Sequence, residues 1–86
     1  MRDVIFLGNT FEDFLEWGMD NKLIQKRIIR LIQEIRRTPF EGTGKPEPLK
    51  QNFKGFWSRR IDDEHRLVYE VTNDEIIIHA LRGHYN

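Results

Sequence analysis

The spacing of apolar residues changes character twice along this chain. Residues 4–7 form a short unbroken apolar run, which predicts a buried strand. Gly8-Asn9-Thr10 interrupts it. Thr10 followed by Asp13 predicts a helix N-cap with an acid in the first turn, where the helix dipole favours negative charge. That helix covers about residues 11–19, with Phe11, Phe14 and Leu15 on one side. Glu12, Asp13 and Glu16 then face away or toward a basic neighbour. Asp20 or Asn21 caps a second, longer helix. In it Ile24, Ile28, Leu31 and Ile35 recur at i, i+4, i+7 and i+11, a stripe that faces a core. Lys26, Arg30 and Arg37 fall elsewhere on the cylinder, and Pro39 ends the helix near Arg37.

Residues 38–55 carry no such period. Pro39, Gly42, Gly44, Pro46, Pro48 and Gly55 predict a long connection with little regular structure, and embedded Phe40, Leu49 and Phe53 predict that it is packed. The last third switches to the two-residue alternation of strands. Residues 56–61 read as strand, 62–64 as a turn, 65–72 as strand, Asn73-Asp74 as a hairpin turn and 75–81 as strand. In the middle strand Leu67, Tyr69 and Val71 share one face, and Arg66, Val68 and Glu70 the other. The predicted fold is a single α+β domain over residues 1–86, an antiparallel sheet of about four strands with an N-terminal helix hairpin on one face. The opposite sheet face is left open and can hold a site.

Composition narrows the classes. A chain of 86 residues has one small core and buries about 60–70% of its unfolded surface. No apolar run reaches membrane-spanning length and no signal-peptide pattern is present, so a cytoplasmic protein is expected. The absence of cysteine removes disulfides and thiolate chemistry. Net charge is zero, but it is unevenly distributed. Residues 22–60 hold eleven Lys/Arg against Glu34, Glu41 and Glu47, while each flank carries four more acids than bases. Helix charges usually just solvate a face. Here the excess continues into the Pro/Gly loop and the next strand, which points to a phosphate-binding surface.

The densest chemistry lies between Gly44 and Arg66. Pro46 and Pro48 flank Glu47 and restrict it to an extended, non-helical conformation. Lys50, Lys54, Arg59, Arg60 and Arg66 follow, with Phe53, Phe56 and Trp57 interleaved. No metal-ligand spacing occurs, and Gly42-Thr43-Gly44-Lys45 lacks the spacing of a phosphate-cradling loop. What remains is a general acid–base set, and no cofactor is implied. RNA supplies its own nucleophile, the 2′-hydroxyl. Cleavage needs a base for that proton, an acid for the leaving 5′-oxygen and cations on the phosphate. Each residue also has a plainer reading. Glu47 is equally well an exposed loop acid, His65 a solvated turn residue, His79 a packing residue and His84 part of a frayed end. Trp57 and Tyr69 read as core or sheet-face aromatics. Arg59 and Arg60 alternate faces, so at most one reaches a common site, whereas Arg66 lies on the strand face away from Leu67 and Tyr69.

The segments R-R-T-P-F-E-G-x-G-K-P-E-P-L-K, G-F-W-S-R-R-I and E-H-R-L-V-Y, with H-Y near the end, closely resemble the YoeB toxins, in the RelE-like group of toxin–antitoxin endoribonucleases. The resemblance spans nearly the whole chain. It implies an mRNA interferase acting on messenger RNA in the ribosomal A site. The family's general base falls on Glu47, its phosphate-stabilising arginine on Arg66, its general acid on His84 and its terminal tyrosine on Tyr85. Lys50 and Arg60 match basic residues that position or neutralise the phosphate. The implied partners are a cognate antitoxin, the ribosome and mRNA, with operator DNA reached only through the antitoxin; a homodimer is compatible with the family. Gln51 stands where some members carry histidine, and Asn86 follows the His-Tyr pair. The competing readings are a catalytically degenerate RNA-, ribosome- or antitoxin-binding module and, more weakly, a DNA-binding helix hairpin.

Overall fold

A computed structural model describes residues 1–50 and 55–83. The element order is β1 (Asp3–Phe6), α1 (Thr10–Asp20), α2 (Lys22–Arg37), β2 (Glu47–Pro48), β3 (Phe56–Arg60), β4 (Arg66–Val71) and β5 (Glu75–Ala80). The sheet runs β1-β5-β4-β3-β2, and the two helices cover one of its faces. The α+β class, the helix pair and the meander of β3, β4 and β5 match the sequence-based expectation. The sheet differs in two respects. It has five strands, and it is mixed, because β1 pairs with β5 in parallel, Val4 opposite Ile76 and Phe6 opposite Ile78. Parallel partners need a crossover connection, and the helix pair with the strands that follow supplies it. β1 is therefore an edge strand rather than a fully buried one. Val4 and Phe6 turn inward, while Ile5 and Leu7 stay 36% and 48% exposed.

The core forms where the apolar stripe of α2 meets the inner face of β4 and β5. Ile28, Leu31 and Ile35 pack with Leu67, Tyr69, Ile76, Ile78 and Leu81, all at or near zero exposure. Burying each of these aliphatic side chains contributes about 1.5–3 kcal/mol. Helix α1 departs from its predicted face. Trp17 is its buried anchor, Phe14 packs at the core margin, and Phe11 and Leu15 stand about half exposed. Its N-cap is Asn9 rather than Thr10, with no side-chain cap bond. Thr10 is the first helical residue, and its buried hydroxyl lacks a partner among the described residues. Asn21 alone separates the helices, and its side chain accepts from the amides of Leu23 and Ile24, as a helix N-cap should. Helix α2 ends at Arg37, one turn-forming residue before Pro39.

The 38–55 connection is more regular than its composition suggests. Glu47 and Pro48 form a two-residue edge strand, with Glu47 opposite Ser58 and Pro48 opposite Trp57. Proline, lacking an N–H, is tolerated at such an edge. The backbone bonds Arg60 N to Gly44 O at 2.7 Å and Leu49 N to Phe56 O at 2.8 Å extend this pairing on both sides.

Candidate functional site

Directly opposed residues in an antiparallel ladder project from the same face of the sheet. The registers Glu47↔Ser58, Ser58↔Val68 and Arg60↔Arg66 therefore gather Glu47, Ser58, Arg60 and Arg66 on one face. It is the face opposite the helices, since Trp57, Arg59, Leu67 and Tyr69 alternate with these residues and point inward. The expected face exists, but it is not open at its centre: Ser58, Arg66 and Val68 within it are all buried.

Arg66 is the centre of this group. It is 9% exposed, its Nε donates to Ser58 Oγ at 2.9 Å, and its Nη2 approaches the Lys45 carbonyl at 3.5 Å. The guanidinium thus crosses β3 toward the strand that bears Glu47. A guanidinium has five N–H donors, and among the described residues no carboxylate pairs with it. Arg60 faces Arg66 across the strand pair. Like charges so placed repel, and Asp63 relieves this by pairing with Arg60 Nη2 at 2.6 Å. That pair is solvent-exposed and worth little, so Arg60 can exchange Asp63 for another anion. Glu47, Lys45 and Lys50 are exposed. Glu70 continues the same face, and His79 Nε2 lies 3.0 Å from its carboxylate, with the imidazole 4.4 Å from the Phe56 ring.

His84 and Tyr85 lie outside the described residues, as do Gln51, Phe53, Lys54 and Asn86. The residue that precedes His84 is described: Gly83 O accepts from Arg66 N at 2.9 Å.

Arg59 and Arg60 do alternate faces, Trp57 is a sheet-face aromatic as expected, and the continuous run of cations is corrected. Arg59 is not a site cation. It is wholly buried on the inner face, where Nη1 pairs with Glu34 at 2.6 Å and donates to Thr43 O at 3.1 Å. Its Nη2 donates to the carbonyls of Thr38 and Glu41 at 2.6 and 2.8 Å, and its Nε to Tyr69 Oη at 3.2 Å. Tyr69 Oη in turn donates to Pro39 O at 2.6 Å, and burial raises its pKa above the ordinary phenol value. The Thr43 amide and hydroxyl both donate to the Glu34 carboxylate; the amide bond first, against some desolvation, then Thr43 Oγ1 and Arg59, hold its pKa below the usual value. The loop carrying Glu47 is thus tied to α2 and β4 by a buried polar network. The run of cations from residue 22 to 60 is not one surface either. Lys26, Arg30 and Arg37 are exposed on the helix layer, Arg59 is internal, and Arg60 is on the opposite face. Trp57 points inward, 5.0 Å from the Phe40 ring, so it is no base platform beside Glu47.

One contributor was not singled out from sequence, and one was misread. Ser58 orients Arg66, and a strand register was needed to find it. His65 is not a solvated turn residue: Nδ1 accepts from Gly83 N at 2.9 Å and its ring meets Trp17 edge-on at 5.1 Å.

Comparison with known proteins agrees with this architecture. Residues 6–85 match the family model described as the YoeB-like toxin of bacterial type II toxin–antitoxin systems. The chain is 56% identical over 82 residues to toxin YoeB of Escherichia coli K12, covering 95% of this chain and 98% of that protein. Among solved structures, the YoeB dimer from Staphylococcus aureus superposes with a TM-score of 0.90 at 41% identity, covering 98% of both chains. The YoeB chain of the YoeB–YefM complex from the same organism does so with a TM-score of 0.88 at 42% identity, covering 99% of each. A family model spanning nearly the whole chain and a two-helix layer on a matching sheet lead to one assignment: the chain belongs to the YoeB-like toxins of bacterial type II toxin–antitoxin systems.

Proposed function

We propose that this chain is a ribosome-dependent endoribonuclease that cleaves mRNA in the A site and thereby inhibits translation. Glu47 takes the proton of the 2′-hydroxyl, and the freed oxygen attacks the adjacent phosphorus. Arg66 stabilises the charge that grows on the non-bridging oxygens. His84, with Tyr85 beside it in sequence, protonates the departing 5′-oxygen. The products carry a 2′,3′-cyclic phosphate and a 5′-hydroxyl, so no atom is left unbalanced. Lys50 and Arg60 hold the phosphate backbone.

The observation that carries this reading is the register of β2 on β3. It puts Glu47 opposite Ser58, the residue whose hydroxyl holds the Arg66 guanidinium, on one face of the sheet. An acyclic base and a preorganised cation on the same face are what in-line attack on a phosphodiester requires. The solved YoeB–YefM complex and YoeB dimer from Staphylococcus aureus support a cognate antitoxin and a second copy of the chain as partners, and a reaction on translating ribosomes would take place in the cytoplasm.

Toeprinting on programmed ribosomes tests the assignment. The native chain is expected to stop reverse transcription within the A-site codon. Glu47→Ala, Arg66→Ala and His84→Ala are each expected to abolish that stop while still pelleting with ribosomes. Undiminished cleavage by Glu47→Ala would remove it from the mechanism. Binding without cleavage by the native chain would leave the degenerate binding module as the correct reading.

A further inference from the structure

Chain ends fray unless something ties them down. Here β5 ends at Ala80, yet each of the next three residues is held by other parts of the chain. Leu81 is buried, and its carbonyl accepts from Trp17 Nε1 at 3.0 Å. The Arg82 guanidinium lies 4.3 Å from the centre of the Trp17 ring and within 3.6–4.0 Å of Asp13, Glu16 and Asp20 along α1. Gly83 N donates to His65 Nδ1 at 2.9 Å, and Gly83 O accepts from Arg66 N at 2.9 Å. His65 is itself braced. Its amide donates to Asp62 Oδ1 at 2.6 Å, its carbonyl accepts from Ile61 N at 2.9 Å, and its ring sits edge-on to Trp17 at 5.1 Å. Gly83 has φ +93, a conformation that redirects the chain without a Cβ penalty.

We propose that Trp17, His65 and Arg82 form an anchor that fixes the root of the C-terminal tail beside Arg66, with His65 the positioning residue for the acid step. The proposal rests on the nuclease reading given above for His84. Its strength comes from chain statistics. Were the tail free from Ala80, residue 84 would be four flexible residues away, and its position would spread over about 10–12 Å. Fixed at Gly83, it is one virtual bond of about 3.8 Å from a residue bonded to Arg66. A general acid must come within hydrogen-bonding distance of the leaving oxygen, and a misplacement of about 1 Å can cost 100-fold in rate. None of the three anchoring side chains belongs to the sheet face that carries Glu47 and Arg66, so their effect is exerted through the backbone of residues 81–83. The acids of α1 thereby acquire a role: Asp13, Glu16 and Asp20 attract Arg82, the basic neighbour that the sequence left unidentified.

The test compares His65→Leu with His65→Asn, whose amide oxygen can stand where Nδ1 accepts. Single-turnover cleavage on programmed ribosomes separates the rate at saturating toxin from the apparent affinity, and exchange of the Gly83 amide by NMR reports the anchor directly. His65→Leu should lose about 100-fold in saturating rate with little change in affinity, and Gly83 should lose protection. His65→Asn should recover most of both. Trp17→Phe, which keeps a ring and removes the donor to Leu81 O, should give a smaller loss in the same direction, and it carries the test if His65→Leu does not fold. A native Gly83 amide that exchanges freely, an unchanged rate in His65→Leu, or a loss confined to affinity would each overturn the proposal. A native chain that does not cleave at all, with Gly83 still protected, would instead sink the nuclease reading and the positioning role with it, while the anchor would stand as a structural feature.

Discussion

Arg59 Nη1 lies 2.6 Å from Glu34 Oε1, the arginine fully buried and the glutamate side chain 36% exposed. This one pair joins α2 to β3, and its remaining donors take up the carbonyls of the loop between them. An extended loop over a sheet edge would leave those carbonyls facing an apolar core. A buried polar group without a partner costs about 1–3 kcal/mol, so the guanidinium converts a liability into a fixed geometry. The strand bearing Glu47 starts only a few residues beyond the last carbonyl it holds.

Removing that guanidinium should therefore be severe. Arg59→Leu leaves the carbonyls of Thr38, Glu41 and Thr43 without their donor and removes the cation beside Glu34. Each buried polar group left without a partner costs about 1–3 kcal/mol, so losing several at once takes a large share of the roughly 5–15 kcal/mol that holds a domain together. Urea denaturation should show the loss directly. Glu34→Gln, which keeps a hydrogen-bonding shape at a half-open position, should cost distinctly less.

The same pair makes stability depend on pH with a definite sign. Glu34 has its pKa lowered in the folded chain, chiefly by the Thr43 amide, so the folded state binds this proton less readily than the unfolded state. Its contribution is present above the unfolded value, near 4.5, and is lost as pH falls through the folded one. The gap in urea midpoint between the native chain and Glu34→Gln should therefore be widest near neutral pH. It should close as the pH is lowered below the ordinary carboxylate range. A gap that widens in acid would contradict this assignment.

Gly42 is constrained by close approach as well as by its backbone. Its φ is +124, and a Cβ there would overlap Glu34 Oε1 and sit 3.1 Å from Arg59 Nη1. Gly8 also has a positive φ, +61, but its Cβ would meet nothing within 4 Å. Gly8→Ala should thus cost only about 1–2 kcal/mol of backbone strain. Gly42→Ala should cost more, because the substituent also breaks into the Arg59–Glu34 contact. Thermal unfolding of the two variants side by side gives the ordering.

Ser58 should affect cleavage more than stability. Ser58→Ala removes the acceptor of Arg66 Nε and leaves the rest of the sheet intact. The expected outcome is a loss of about 10–100-fold in single-turnover cleavage, the scale of one mispositioned electrostatic group, with ribosome binding retained. Cleavage at the native rate would show that Arg66 is oriented by something else.

Much of this molecule was legible from residue order because its signals are local. The stripe Ile24-Ile28-Leu31-Ile35 fixed the inner face of α2, a cap at Asp20 or Asn21 and Pro39 marked its ends, and the alternation of residues 66–71 separated Arg66 from Leu67 and Tyr69. The motifs around Glu47 and Arg66 were sufficient for the family. Helix propensity, capping and two-residue alternation all act within a few residues, so a one-dimensional reading captures them.

What the tertiary structure alone decided is non-local. Arg59 and Arg60 are adjacent and chemically alike, yet one is a buried clasp and the other a surface cation, and only the pairing of β3 with β4 and the packing of α2 tell them apart. Parallel pairing of β1 with β5, the seat of Ser58 under Arg66, and the grip of His65 on Gly83 each join residues far apart in the chain. Such contacts depend on which backbones become neighbours after folding, and the free energy that selects those neighbours is shared over the whole core rather than written at any single position.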